Sequence, residues 1–458
     1  MNNLLNNKFH LELEVLSPLH IGSGDTWMKG SDFLQENNKT VILDHNLILR
    51  DLGVDKLSEL LISKNEKAFI NALGRNKLSE FVEKSFDFSL NTKNDIKCFI
   101  KSSFDGKAYV PGSSVKGAIR SVLFHYFREK QSDERIVLGS LNQGNDFMRF
   151  IQVSDSSTSN TELVNTKIFN LYKPDEDWIG GWKHGGNNTD GQFRPVGFNT
   201  IYEILPIGEK VSFSIGFSEK LFSKIRNHPY YEAKNNLMKG GINQLFELIN
   251  EHTREYIQKE MAFFEKFRID ETDAIIESYR DILHRIPDDN STCILKMSAG
   301  SGFHSITGDW QYDDYTNTGF YNHGRNQGKK KYKSRKLATY PNKFMPMGFI
   351  SLRPMLDEEI KEKENVLREK VRFQTERIKA ARKKEEKLKE EQRQKEKERQ
   401  DKLEKELKEK EQKEKERIER IAKAEAAKEA AKAKAKEQEA VNKEAGKVKK
   451  EQYLKEGL

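Results

Sequence analysis

Short runs in which apolar and polar residues alternate recur through most of the chain and then stop. Phe9, Leu11, Leu13 and Val15 alternate with polar neighbours, the period of a half-buried strand. Residues 40–44 (TVILD) and 96–100 read as further short strands, and 147–156 (FMRFIQVSDS) as a strand ending at Asp155. Residues 201–205 and 211–217 alternate again on either side of Pro206-Ile207-Gly208-Glu209, which predicts a hairpin. Residues 293–297 and 347–352 complete the strand set. Helical spacing fills 46–85, with Leu57, Leu60 and Leu61 as packing residues, and 230–284, with Leu245, Leu248 and Ile249 ahead of Tyr256, Phe263, Phe264 and Phe267.

The stretch 109–127, YVPGSSVKGAIRSVLFHYF, organises the rest. Pro111-Gly112 turns the chain, and Ser113 or Ser114 is predicted to cap the helix that follows. Val115, Ile119, Val122, Leu123 and Tyr126 form its apolar face. Lys116 and Arg120 lie four residues apart on another face, near the end where a helix dipole disfavours cations. An anion at the helix start, phosphate above all, makes that arrangement favourable. The plainer reading is a capped core helix with two solvated basic residues, because the stretch lacks the order of a P-loop.

Beyond Pro354 the pattern changes. Lys, Glu, Arg, Ala and Gln dominate 357–445, with no proline or glycine, a strongly helix-forming composition. Glu359 with Lys363, Glu364 with Arg368 and Glu406 with Lys410 are acid-first pairs at i,i+4. Ile360, Leu367, Val371, Gln374 and Ile378 make a sparse seam that could pack on the body, but Leu388, Leu403, Leu407, Ile418 and Ile421 keep no heptad. The prediction is a solvated single helix of roughly 130 Å, at ~1.5 Å per residue. The expected divisions are 1–229, 230–354 and 355–458.

Charge follows the same division. The chain of 458 residues carries a formal +8. Residues 355–458 hold 34 basic and 28 acidic side chains, which leaves 46 and 44 for residues 1–354. The body is nearly neutral, so nucleic-acid contact there requires local patches. Two cysteines, Cys98 and Cys293, exclude a disulfide framework and a cysteine-based metal site. The chain has neither a secretion-signal pattern nor an apolar run long enough to span a bilayer, so a cytoplasmic protein away from membranes is expected.

Two glycine-rich loops carry candidate chemistry: Ser17-Pro18-Leu19-His20-Ile21-Gly22-Ser23-Gly24-Asp25 and Ser298-Ala299-Gly300-Ser301-Gly302-Phe303-His304. Glycine permits close backbone approach to another chain. His20 could bind a phosphate or base, move a proton, or be a surface or structural side chain. Asp155 could be a general base or metal ligand, or could cap the following turn. Residues 175–200 read as a long loop, potentially functional. Residues 324–336 (GRNQGKKKYKSRK) place Lys330, Lys331 and Lys333 around Tyr332, the cation-plus-ring combination that suits single-stranded nucleic acid, or else form a solvated basic loop.

Three segments, PLHIGSGD (18–25), the 109–127 stretch and VSDS (153–156), resemble the RAMP proteins of type III CRISPR systems. With AGSGFHS (299–305), their order is most similar to the fifth subunit of the type III-A Csm complex. The resemblance covers about residues 8–353. It implies an α+β fold of two ferredoxin-like, RRM-related modules with helical insertions, followed here by the long charged helix. It implies a non-catalytic RNA-binding subunit, without cofactor or metal, at the end of the filament near the CRISPR RNA 3′ end. Its partners would be that RNA and other Csm subunits, the repeating backbone subunit especially, and its roles guide maturation and antiviral defence. By the same resemblance Gly112, Ser113, Ser114, Lys116, Gly117 and Arg120 contact or support the guide. His20, Gly22 and Gly24 line the first RNA-facing loop, and Gly300 and Gly302 the second. The charged tail departs from the family pattern, and its expected role is docking of another subunit or a host nuclease. A ribonuclease using His20 or Asp155 is the competing function.

Overall fold

The computed structural model describes residues 7–455 except 37, 90–94, 130, 132, 141, 173–177, 184–194, 196–198 and 301–333. It divides into two units, Met1–Ile360 and Lys361–Leu458.

In the first unit, the alternation at the start of the chain becomes β1 (Asn7–Val15). β1 lies between β11 (Lys210–Phe217) and β15 (Phe349–Pro354), with Leu13 opposite Val211 on one side and Leu352 on the other. β12 (Cys293–Lys296) and β7 (Ile151–Val153) complete a five-stranded antiparallel sheet of order β12-β15-β1-β11-β7. Strand pleating turns Leu11, Leu13, Val15, Val211, Phe213 and Ile215 to one face. There they meet Val115, Ile119, Val122 and Leu123 of α3 (Gly112–Phe127), and Leu237, Ile242, Leu245 and Ile249 of α6 (Tyr231–Lys266). Numbered in chain order, β1, β7, β11 and β15 are first to fourth, and read across the sheet they run fourth, first, third, second, with α3 after the first and α6 after the third.

A seven-stranded sheet runs β14 (Phe344–Met345), β13 (Arg335–Thr339), β8 (Glu162–Tyr172), β10 (Thr200–Ile204), β6 (Ile96–Phe99), β2 (Gly22–Trp27). Its seventh strand, β9 (Ile179–Trp182), pairs with β8. The second half of α6 and α7 (Thr272–His284) pack Phe263, Phe264, Ile275 and Tyr279 against Phe169, Trp182 and Leu337 of this sheet. A smaller sheet of β3 (Phe33–Glu36), β4 (Lys39–Leu43) and β5 (Val82–Phe86) is packed by α1 (His45–Ser63), α2 (Glu66–Leu73) and a 3-10 turn. Two short helices, α4 (Glu134–Leu138) and α5 (Glu219–Phe222), fill out the first core. The described residues of the second unit belong to α8 (Asp357–Lys455), which spans 99 residues.

Several expectations are corrected. β10 and β11 do not form a hairpin. The reversal is made, with Glu209 N–H donating to the Pro206 carbonyl at 3.2 Å. However, β10 pairs with β8 and β6, while β11 pairs with β1 and β7. Ile201 belongs to a different core from Val211 and Phe213, and burial outweighs proximity in sequence. Strand β5 ends the stretch expected to be helical, and β9 lies inside the expected 175–200 loop because Trp182 is fully buried. On α3, Tyr126 is half exposed, and Phe124 and Phe127 take its place in the core.

Candidate nucleic-acid interface

The start of α3 is set by two geometric needs of the backbone: a tight approach and a cap. Pro111 occupies the cap position with an extended backbone, and no side chain of the cap residue bonds the first turn. Ser113 and Ser114 lie inside the helix, so neither is the expected cap. Asp155 serves instead: its Oδ1 accepts the Gly112 N–H at 2.8 Å. Beside it, Ser156 Oγ accepts the Val110 N–H at 2.8 Å. A Cβ on Gly112 would stand 2.4 Å from the Val153 carbonyl oxygen, so only glycine allows this approach. The VSDS segment and the helix start are therefore one structural joint.

Ser113 and Gly117 are exposed one helical turn apart, with Ser114 and Lys116 half-buried beside them. Burial lowers the Lys116 pKa, an effect opposed by Asp146 and reinforced by Arg120. Arg120 has carboxylate partners within the chain. Its guanidinium bonds Glu134 at 2.6 Å and the buried Asp146 at 2.7 Å. Those carboxylates raise its pKa against desolvation, the largest single effect. They lie 14 and 26 residues downstream, beyond the reach of helical-spacing rules, and give Arg120 partners that neither the anion reading nor the solvated reading of the spacing included.

The two glycine-rich loops do come together, since Ala299 N–H donates to the His20 carbonyl at 3.2 Å. From there, Ile100 N–H bonds the Ile21 carbonyl and Tyr109 N–H the Ile100 carbonyl, a ladder that ends three residues before Gly112. Gly22 and Gly24 are exposed at the start of β2, and Gly24 has φ +94° with open space around it. Gly300, at φ +82°, closes on Met347.

His20 does not line the loop. It is 4% exposed, its Nδ1 lies 2.6 Å from the Glu203 carbonyl oxygen, and its ring packs against Phe99 and Tyr202. Desolvation lowers its pKa to about 4, so it is neutral and structural. Below it sits Glu203, fully buried, accepting from Phe99 N–H at 3.0 Å and Thr161 Oγ1 at 2.5 Å, with Lys84 and Lys101 at 3.4 and 3.3 Å. No short-range pattern marked Glu203. Lys97, exposed on β6 and bonded to Thr26, is a cation of the second sheet that the sequence reading did not single out, and Lys336, bonded to Tyr202 OH, is the last cation of the basic run 324–336. Gly302, Lys330, Lys331, Lys333 and most of 175–200 lie outside the described residues. Among the described residues, no three His, Cys, Asp or Glu side chains converge as metal ligands, and no helix is long and apolar enough to cross a membrane.

The RAMP superfamily pattern matches residues 12–444, nearly the whole chain. The chain belongs to the RAMP superfamily. Among curated RAMP relatives, it is similar to the CRISPR system Cms protein Csm5 of Streptococcus thermophilus, with 30% identity over 162 residues, 31% of this chain and 43% of that protein. Csm5 of Methanocaldococcus jannaschii is 25% identical over 197 residues, 36% and 46% of the two chains. The chain spans less than half the length of these curated relatives. In fold it is similar to a chain of the Csm–crRNA–target RNA ternary complex of a type III-A CRISPR-Cas system, with TM-score 0.53, 20% identity, and coverage of 75% of this chain and 100% of that one. The T. onnurineus Csm5 crystal structure gives TM-score 0.50 at 20% identity, covering 74% and 99%. At that identity the likeness is one of fold.

Proposed function

We propose that this RAMP protein is a non-catalytic, RNA-binding subunit of a type III-A CRISPR effector complex, seated at the filament end that holds the CRISPR RNA 3′ end. The observation that carries the reading is the superfamily match through the body, together with 30% identity to a Csm5 protein. The order of β1, β7, β11 and β15, with helices after the first and third, supports a ferredoxin-like first module. The second sheet is the candidate for the other module. A non-catalytic role is supported by the commitments of the two residues a ribonuclease would use. His20 is buried and neutral, and Asp155 spends an oxygen on the Gly112 N–H.

In this reading the guide backbone lies along the exposed start of α3, at Ser113, Gly117 and Lys116, and beside the joined loops at Gly22, Gly24 and Gly300. RNA held through its backbone needs cations and closely approachable main chain more than base-specific contacts. Lys116 is the cleaner probe, because changing Arg120 also breaks its pairs with Glu134 and Asp146. Co-expression with the neighbouring genes, purification, and sequencing of bound RNA tests the assignment. Short RNAs sharing a repeat-derived tag are expected, and a protein that emerges alone and free of RNA overturns it. Lys116→Ala in the purified complex is expected to flatten log affinity against log salt by about 0.7, one phosphate contact on a single strand. An unchanged slope removes Lys116 from the interface.

A further inference from the structure

Near its beginning, α8 carries an ordered arrangement that the RNA-binding reading does not use. Leu367, Val371 and Ile378 are separated by four and seven residues, which places them in one row along the helix. They are exposed to 59%, 44% and 45%. Val371 is bracketed by Lys370 and Arg372 and Ile378 by Arg377 and Lys379, while Leu367 has Arg368 on one side and Val366 on the other. Neighbouring residues stand ~100° around a helix, so these cations form a rail on each side of the apolar row. Glu362, Glu369 and Glu376 recur every seven residues on the opposite side. Between Lys361 and Lys379 there are seven cations and four glutamates. Farther along, Leu388 again lies between two cations in sequence, Lys387 and Lys389, whereas Leu403, Leu407 and Ile418 each have an acidic neighbour.

We infer that residues 361–379 are a docking surface for an acidic amphipathic helix of another protein. A narrow row of apolar residues at alternating short and long helical steps is the seam of a two-helix coiled coil, and the flanking positions select the partner by charge. A second copy of this chain in the same register sets cation rail against cation rail in either orientation. A nucleic-acid backbone satisfies the rails and leaves the apolar row in water. A membrane-bound helix presents a broad apolar face, wider than this single row. A helix with Leu or Ile in its seam and Glu or Asp beside it covers the row and neutralises both rails. Arg368 and Arg372 already engage carboxylates on their own helix, Glu364 at 3.9 Å and Glu376 at 3.4 Å, and a partner carboxylate would exchange with these.

The test uses the full chain and labelled synthetic helices of roughly three heptads, read by fluorescence anisotropy. One peptide carries Leu in its seam and Glu beside it. One control keeps the Glu and has Ala in the seam, and another keeps the Leu and has Lys beside it. The first peptide is expected to bind at least about tenfold tighter than either control. Leu367→Ser with Val371→Ser and Ile378→Ser in the full chain is expected to lose about tenfold, with far-UV circular dichroism unchanged. Equal binding of the Ala control means charge alone, and overturns the inference. So does binding of the Lys control, tighter binding of a uridine oligomer or a phosphatidylserine vesicle that depends on Leu367, Val371 and Ile378, or self-association through these residues by sedimentation. RNA binding by the body is read separately from the co-purified guide, so the two proposals fail independently.

Discussion

The joint between Asp155 and Gly112 shows how one residue can look catalytic in sequence and be structural in space. The carboxylate ends a strand, as a general base often does, yet it supplies the acceptor that Pro111 cannot give to the first turn of α3. Asp155→Ala is expected to cost about 1 kcal/mol, the usual cost of losing a cap, and Asp155→Asn to recover most of it because an amide oxygen still accepts. Urea midpoints of the two variants measure this; equal losses would mean that the charge, and not the acceptor, matters. His20 makes a second residue-scale prediction. Its folded pKa of about 4 lies below its ordinary 6.5, so the unfolded chain binds its proton first as pH falls. The stability that neutral His20 contributes is complete above pH 6.5 and is lost between 6.5 and 4. The full loss is about 3 kcal/mol, of which roughly 2 falls between pH 6.5 and 5. His20→Phe keeps the stacking on Phe99 and Tyr202 and removes the titrating group. The variant should show a shallower fall in urea midpoint from pH 6.5 to 5, with the contribution of His252 common to both proteins. An identical fall would show that His20 does not titrate in this way.

At the scale of elements, α6 joins two cores. Leu237 to Ile249 pack on the five-stranded sheet, and Tyr256 to Phe267 on the seven-stranded one. Gly241, with φ 59° and ψ −130°, breaks the helix near Phe9 of β1. Phe264→Ala is expected to cost about 3–5 kcal/mol. Because one helix serves both sheets, amide exchange in β1 and β11 should accelerate along with β8 and β13. Acceleration confined to β8 and β13 would show that the two cores open separately. Local pattern was a good guide wherever one element buries one face: β1, the Val115–Ile119–Val122 face of α3, and the unbroken charge of α8 were all legible. Pairing was not. β10 and β11 are adjacent in sequence but sit in different sheets, and Arg120 meets carboxylates that no helical spacing relates to it. At the candidate site the start of the helix after Pro111 was readable, but its cap from Asp155 and the meeting of the two glycine loops were not. The burial of His20 was not, because Glu203, Phe99 and Tyr202 come from distant strands and leave no periodic mark near residue 20.

The whole molecule combines two kinds of stability. The first unit is nearly neutral and is held by buried apolar surface, the condition for a sharp cooperative transition. Among the described residues of the second, all side chains except the half-buried Lys363 and Gln374 are exposed, and it is held by helix propensity and ion pairs along one helix. Glu385 with Lys389, Glu404 with Lys408 and Glu419 with Lys423 stand acid-first at 2.7, 2.8 and 3.1 Å. Exposed pairs of this kind are individually weak, so the helix depends on many small, additive terms. A helix of this kind unwinds gradually from its ends, with little heat-capacity change because little apolar surface is exposed on melting. Far-UV circular dichroism of the full chain should therefore show one sigmoidal step on a steep, nearly linear slope. Removing residues 361–458 should abolish most of the slope. At about 1 M salt the screening length falls to ~3 Å, comparable with the pairs themselves, and the slope should begin at lower helicity. A second sharp, concentration-dependent step would contradict this account, because it would mean that the apolar residues of α8 are already buried against another copy of the chain.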